Sequence, residues 1–413
     1  MTYFKPLAAA AATAAAVGLL ASVPASAKVE GDTITLGAAI SLTGKYSTNG
    51  MNTQHGYDLA IKRINEMGGV KVGGKSYKLA ITYYDDESTP ARGAQLAERL
   101  INQDGVKFVL GPYSSGLTKA IAPVTEKYGI PMVEANGASR GLFANGYKYL
   151  FAVLSTSEQY LQEALNLAAE QATAAGKDPK SLKVAVAIEN DNFSQDVRAG
   201  VVDDIKRHGM QLVIDDKLPP ELNDMAATLT KVKALKPDIL IVSAHAKGPS
   251  LAIRQMKEMQ VNVPMLAMTH CDSAKIIENF GKDAEYSVCA SQWDRALSYK
   301  DNVMGSAEDF AVAFEKAYGY APPYQAAESA AAVLVYADAF ARAGSFETDK
   351  VRDALAATEM QTFYGNIKFD ATGKNTAKPM VLYQVQSGEF KVVAPSKWAS
   401  AKVHYPAPDW SER

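Results

Sequence analysis

Short apolar runs alternate with amphipathic stretches along almost the whole chain. Residues 33–42, 79–84, 108–110 and 130–133 are apolar runs of strand length. Between them, 54–67, 91–103 and 117–128 carry apolar residues at helical spacing, with Tyr57, Ile61 and Ile64 on one face of the first. Runs bounded by Gly, Pro and Asn read as strands, and i, i+3, i+4 spacing reads as helix. Gly68-Gly69 closes the first helix, Pro90 opens the second, and Gly73-Gly74 predicts a hairpin over 70–76. After an apolar segment at 147–153 the pattern restarts. Strands are predicted at 184–188, 212–214, 238–243, 264–268 and through Cys289, with helices at 158–174, 195–208, 225–235 and 250–259. The last hundred residues predict a long helix at 324–343, a short one at 350–358, and strands at 367–369 and 380–386. Strand–helix alternation that occurs twice predicts an α/β chain of two similar doubly wound lobes.

The stretch 108–138, FVLGPYSSGLTKAIAPVTEKYGIPMVEANGA, is a strand–turn–helix–strand unit. Its first turn holds Tyr113, Ser114 and Ser115 at a helix N-terminus, where a hydroxyl can cap the helix and the N–H groups favour an anion such as a carboxylate. The next strand ends at Asn136-Gly137-Ala138-Ser139. Ligands of open α/β sheets bind at the C-terminal strand ends, so these two turns are placed to grip one ligand, or else their serines only cap helices.

The first 27 residues differ from the rest. Lys5, an Ala-rich apolar stretch over 7–23 and Ala25-Ser26-Ala27 fit a secretory signal cleaved after Ala27, which predicts export to the periplasm. No Cys follows that site to carry a lipid. Export permits a disulfide between the two cysteines, Cys271 and Cys289, but their spacing leaves pairing and separate burial both open. At 413 residues and 47% hydrophobic the chain can fill two cores. Its net charge of −2 offers no basic field for nucleic acid.

Catalytic motifs are missing. GAAISLTG after the first strand is not a dinucleotide fingerprint, no P-loop follows, and GPYSSG is not a serine-hydrolase elbow. His245 and His270, with Cys271 and Asp272 nearby, match no zinc spacing. The reading is therefore not an enzyme, with no cofactor and no metal. Asp85-Asp86-Glu87 reads as a solvated loop or a cap, and Trp293 as a stacking wall for a ligand or a core residue.

ITLGAAISLTG, INEMGGV, YYDDESTPARGAQLAERLI, GPYSSGLTKAIAPV, GIPMVEANGAS and YGNIKFDATGKN occur in that order. Together they resemble the type I periplasmic solute-binding proteins of ABC importers, of the leucine/isoleucine/valine-binding group. The resemblance implies two lobes joined by a three-strand hinge, the first at 28–153 and 293–362, the second at 154–292 and 363–413. It implies a monomer that closes on a small molecule and presents it to permease subunits, or alternatively a sensor of the same fold. By the same resemblance Tyr113, Ser114 and Ser115 grip a ligand carboxylate, and Asn136, Ala138 and Ser139 add contacts. Phe193 holds an aromatic position, and His245 replaces a Tyr. Thr269 stands where the branched-chain binder has the Glu that meets an α-ammonium group. The expected ligand is an amino acid or related small carboxylate or amide, with Asp272 taking over that charge; the alternative is a ligand without the ammonium group, an aromatic acid, an amide or a urea-like compound, with His270 and Trp293 suited to a planar one.

Overall fold

A computed structural model of the chain describes residues 1–2 and 29–413. The expected signal segment and its cleavage site lie outside the described residues. Among the described residues no helix is long and apolar enough to cross a membrane.

The first lobe begins with β1 (Val29–Glu30), β2 (Thr33–Ile40), α1 (Ser47–Glu66), β3 (Val70–Val72), β4 (Lys75–Asp85), α2 (Pro90–Asn102), β5 (Val109–Leu110), α3 (Ser115–Lys127), β6 (Met132–Glu134) and β7 (Leu150–Ala152). The second lobe follows with α4 (Gln162–Ala174), β8 (Lys183–Glu189), α5 (Asn192–His208), β9 (Gln211–Leu218), α6 (Ala226–Leu235), β10 (Ile239–Ser243), α7 (Lys247–Glu258), β11 (Met265–Met268), α8 (Ile276–Phe280) and β12 (Val288–Ser291). The chain then adds β13 (Lys300–Asp301), β14 (Gly305–Ser306), α9 (Ala307–Tyr318), α10 (Tyr324–Ala343), α11 (Thr348–Ala356), β15 (Glu359–Gln361), β16 (Asn366–Lys368), β17 (Val381–Gln386) and β18 (Glu389–Ala394).

The first sheet runs β3-β4-β2-β5-β6-β7, with β1 antiparallel against β2. Its inner pairs are parallel, and the predicted hairpin joins β3 to β4 antiparallel around Gly73-Gly74. The second sheet runs β18-β17-β12-β11-β10-β8-β9, parallel from β9 to β12 and antiparallel beyond. Each sheet reverses its winding beside its first long strand, between β2 and β5 and between β8 and β10. Those reversals open the crevices where ligands of such sheets bind.

Among the longer elements, α9 and β18 escape the periodicity reading. Helix α9 is set by a capping box in which Ser306 and Asp309 exchange hydrogen bonds, and it ends at Gly319 in the left-handed region. Strand β18 pairs with β17 across Ser387-Gly388. Asp86, expected in a solvated turn or a cap, is instead buried; its carboxylate accepts from the Ser41 hydroxyl at 2.7 Å and the Ser88 N–H at 2.8 Å. Burial lifts it to about 6. Asp85 accepts from the Thr43 hydroxyl and the Leu42 N–H, so the acidic turn ties the end of β4 to the end of β2.

The chain passes between lobes three times, and one buried polar cluster joins the three passages. Ser155 lies on the first, Gln292 on the second and Lys378 on the third. The Gln292 amide donates to the Ser155 carbonyl and accepts from its N–H, at 2.8 and 3.1 Å. The Ser155 hydroxyl donates to the Lys378 carbonyl at 2.6 Å, and the Lys378 ammonium donates to the Gln292 carbonyl. Before that third passage, β16 pairs with β15, and the Ala152 N–H donates to Gly373 O at 2.9 Å. Residues 363–375 thus hydrogen-bond on the side of the first lobe.

Candidate functional site

The two crevices meet in one small, mostly enclosed space. The first lobe supplies Tyr113 and Ser115 after β5, Asn136 after β6, and Tyr324 and Glu328 from α10; the second supplies Tyr160 before α4, Phe193 at the start of α5, His245 after β10 and His270 after β11. Helix α10 reaches the site because α1 lets it approach. A Cβ on Gly56 would stand 2.2 Å from the Ala326 carbonyl, so only glycine permits that contact.

A short relay crosses between the lobes. The Tyr113 hydroxyl lies 2.7 Å from His245 Nδ1 and 3.0 Å from His270 Nε2. His245 Nε2 lies 2.8 Å from the Asp191 carboxylate, which also caps α5 by accepting from the Ser194 N–H. Burial alone would lower the His245 pKa, but the Asp191 charge and hydrogen bond outweigh it and raise the value above 6.5. Burial also opposes ionisation of Asp191, and the His245 charge outweighs it there, holding the carboxyl below its usual range. For His270, burial and then the His245 charge depress the ring to about 3. A hydroxyl both donates and accepts, so Tyr113 bridges the two imidazoles across the lobes. Glu189, Asp191 and His245 bring ligand atoms within 4.8 Å of one another. Lys45 at 3.5 Å from Glu189, and His245 itself, already answer those acids.

The serine turn differs from a simple cap. Ser114 precedes α3, yet its hydroxyl is buried without a partner among the described residues and makes no cap bond. The Ser115 hydroxyl accepts from the Ser139 N–H at 3.1 Å, which fastens the two turns together. Glu134 accepts from the Asn136 N–H at 2.9 Å and from the Gly137 N–H. A Cβ on Gly137 would stand 2.5 Å from Thr118 Oγ1, so this turn requires glycine. Burial lifts Glu134 to about 8.

Six of the twelve residues singled out from the sequence line the space: Tyr113, Ser115, Asn136, Phe193, His245 and His270. The other six do not. Ser114, Ala138 and Ser139 belong to the turns behind it, and the Ala138 carbonyl accepts from the Ser157 N–H. The Thr269 hydroxyl donates to the Ala244 carbonyl at 2.8 Å and accepts from its N–H, which ties β10 to β11. Asp272 accepts from the N–H groups of Ser273 and Tyr324, at 2.8 and 3.1 Å, and faces an outer groove between the lobes. Trp293 packs edge-on against Phe310 and Phe363, with its indole N–H donating to the Phe363 carbonyl. Cys271 and Cys289 form a disulfide with Cα atoms 6.0 Å apart, fastening the turn that carries His270 to β12. His270 itself has φ +61°, a left-handed conformation that such a fastening helps to hold.

Three lining residues were missed: Tyr160, Tyr324 and Glu328. Tyr324 and Glu328 are four apart on α10 and so share a face. An acid within the Ala-rich first half of α10 was the available signal. Burial holds Glu328 well above the ordinary carboxylate range, with Lys378 opposing the shift. Burial in turn lowers Lys378 to about 7, against the pull of Glu328.

This cleft between two doubly wound lobes agrees with the comparisons. A family model described as periplasmic binding protein matches residues 33–389. The chain belongs to the periplasmic binding protein family. It is 24% identical over 383 residues to the Leu/Ile/Val-binding protein homolog 8 of Brucella abortus (strain 2308), covering 90% of this chain and 93% of that one. The crystal structure of a branched-chain amino acid transporter substrate binding protein from Streptococcus pneumoniae, in complex with isoleucine, superposes with a TM-score of 0.75 at 22% identity, covering 88% of this chain and 100% of that one. A solute binding protein of an ABC transporter from Rhodopseudomonas palustris BisB5, in complex with 3,4-dihydroxy benzoic acid, superposes with a TM-score of 0.76 at 19% identity, covering 92% and 100%. These likenesses carry the two-lobe fold.

Proposed function

We propose that this chain is the extracytoplasmic substrate-binding component of an ABC importer and that it closes on a small aromatic carboxylate. The observation that carries the ligand class is the wall of the cavity. Six rings, from Tyr113, Tyr160, Phe193, His245, His270 and Tyr324, enclose it from both lobes. Aromatic walls with a few convergent polar groups suit a small planar ligand. The carboxylate is placed at the N-terminus of α3, where the helix dipole and the Ser115 hydroxyl favour an anion. Neither residue first considered for an α-ammonium group lines the cavity, since Thr269 is tied to Ala244 and Asp272 is engaged by Tyr324 and Ser273.

The protein acts after cleavage behind Ala27, in the periplasm, as a monomer that presents its closed form to permease subunits. The division we propose is 28–153 with 293–375 for the first lobe and 154–292 with 376–413 for the second. It is supported by the β15–β16 pairing and the contact of Ala152 with Gly373. Mass spectrometry of the small molecules that co-purify with the exported protein, followed by calorimetry, tests the reading. An aromatic acid is expected. Leucine or isoleucine, bound tightly while aromatic acids are not, would overturn it.

A further inference from the structure

Glu328 is buried, lines the cavity, and is not used by the carboxylate grip at Ser115. Its surroundings place it on the hinge side. The Tyr364 hydroxyl lies 3.2 Å from both Glu328 Oε2 and Gln292 Oε1, and Gln292 also donates to the Tyr160 hydroxyl at 3.1 Å. The His245 side instead reaches the surface through Glu189 and the partly exposed Lys45. The cavity is therefore polar toward the hinge as well as at the serine turn. Two buried polar atoms there lack any partner among the described residues: Asn136 Oδ1 and the Tyr324 hydroxyl. The Asn136 amide nitrogen is held by Ser329 at 3.0 Å, which fixes the carbonyl oxygen as the unanswered end. Tyr324 lies one turn before Glu328 on the same face of α10. Buried polar groups of this kind cost stability unless a partner arrives.

We infer that Glu328, with Asn136 and Tyr324, is a second anchor that selects ligands bearing a hydroxyl group on the ring, apart from the carboxylate. A ring hydroxyl both donates and accepts, so it satisfies the Asn136 oxygen or the Glu328 carboxyl and takes the Tyr324 proton in one place. A ligand without that group leaves the Asn136 oxygen and the Tyr324 hydroxyl unpaired. The contact also falls on the acid that Tyr364 links to Gln292, the residue on which the hinge cluster converges, so Glu328 is oriented by the hinge it adjoins. This inference rests on the aromatic-carboxylate reading above.

Calorimetry with benzoate, 3-hydroxybenzoate and 4-hydroxybenzoate, on the mature native protein, Glu328→Met, and the double variant Glu328→Met with Lys378→Met, separates the two. The double variant avoids leaving the Lys378 ammonium group buried beside an apolar side chain, and serves if the single one does not fold. The native protein should bind at least one hydroxybenzoate about tenfold or more tighter than benzoate, and that preference should fall below about threefold in both variants. A loss of general structure would weaken all three acids alike and leave their ratio unchanged, which overturns the inference. Equal affinity of the native protein for benzoate and both hydroxybenzoates overturns it alone and leaves the aromatic-carboxylate reading standing. Binding of none of the three overturns both.

Discussion

The two lobes contribute to the cavity in different ways. The first offers hydrogen-bonding groups on two adjacent turns and one helix, and most are already braced by their own lobe: Ser115 by Ser139, Asn136 by Ser329, and the turn N–H groups by Glu134. The second offers rings and a buried ion pair, Phe193, His270 and His245 with Asp191. The first lobe is built to position polar atoms, while the second sets the shape and field they work in. The difference teaches where a change should be felt. Substitutions of the second lobe's cavity residues should act on stability and charge, and substitutions of the first lobe's cavity residues on affinity.

The largest effect should come from His245→Ala. It leaves the Asp191 carboxylate buried without its cation, a loss on the order of 3–5 kcal/mol in unfolding stability, to be measured by urea denaturation. The same pair sets a pH dependence. The folded pKa of His245 is raised, so its contribution is complete below 6.5 and is lost as pH rises through the raised value. Native stability should decline over that window, and the variant should show a flatter profile. A variant as stable as the native protein would remove the contrast between the lobes.

Ser115→Ala should weaken ligand binding by ~1–3 kcal/mol, the cost of an unpaired buried group, with a smaller effect on unfolding. Calorimetry with the co-purifying acid checks it. Unchanged affinity would move the grip away from the α3 turn. The smallest effect on binding should come from Trp293→Phe. It should leave affinity within ~0.5 kcal/mol of native while costing about 1 kcal/mol of stability, through the Phe363 carbonyl left without its donor. A large loss of affinity would mean that the indole touches the ligand after all.

Much of this was legible in the chain because the signals are local. Period and punctuation gave the strands and helices of both lobes, including α10 at 324–343. The turn at Tyr113 was legible as well, since strand-end position and small polar residues lie within a few residues of each other. Helix α9 carries a readable signal in Ser306 and Asp309, with Phe310 and Phe314 at helical spacing. Other features had no local signal. Nothing near Thr269 says that its hydroxyl closes on Ala244, and nothing near Asp272 says that it meets the N-terminus of a helix some fifty residues later. The cysteine pair was undecided because pairing depends on a distance, which the fold sets at 6.0 Å between Cα atoms.

By itself the sequence determined the alternation of strand and helix, its repetition, the family, and the serine turn, because each rests on side-chain pattern over a few residues. Only the tertiary structure decided which polar groups face the cavity. That choice depends on how α10 packs on α1, where the three hinge passages converge on Gln292, and which hydroxyls and acids their neighbours have already engaged. These are contacts between residues far apart in the chain. They are settled by burial and hydrogen-bond satisfaction, for which sequence spacing carries no record.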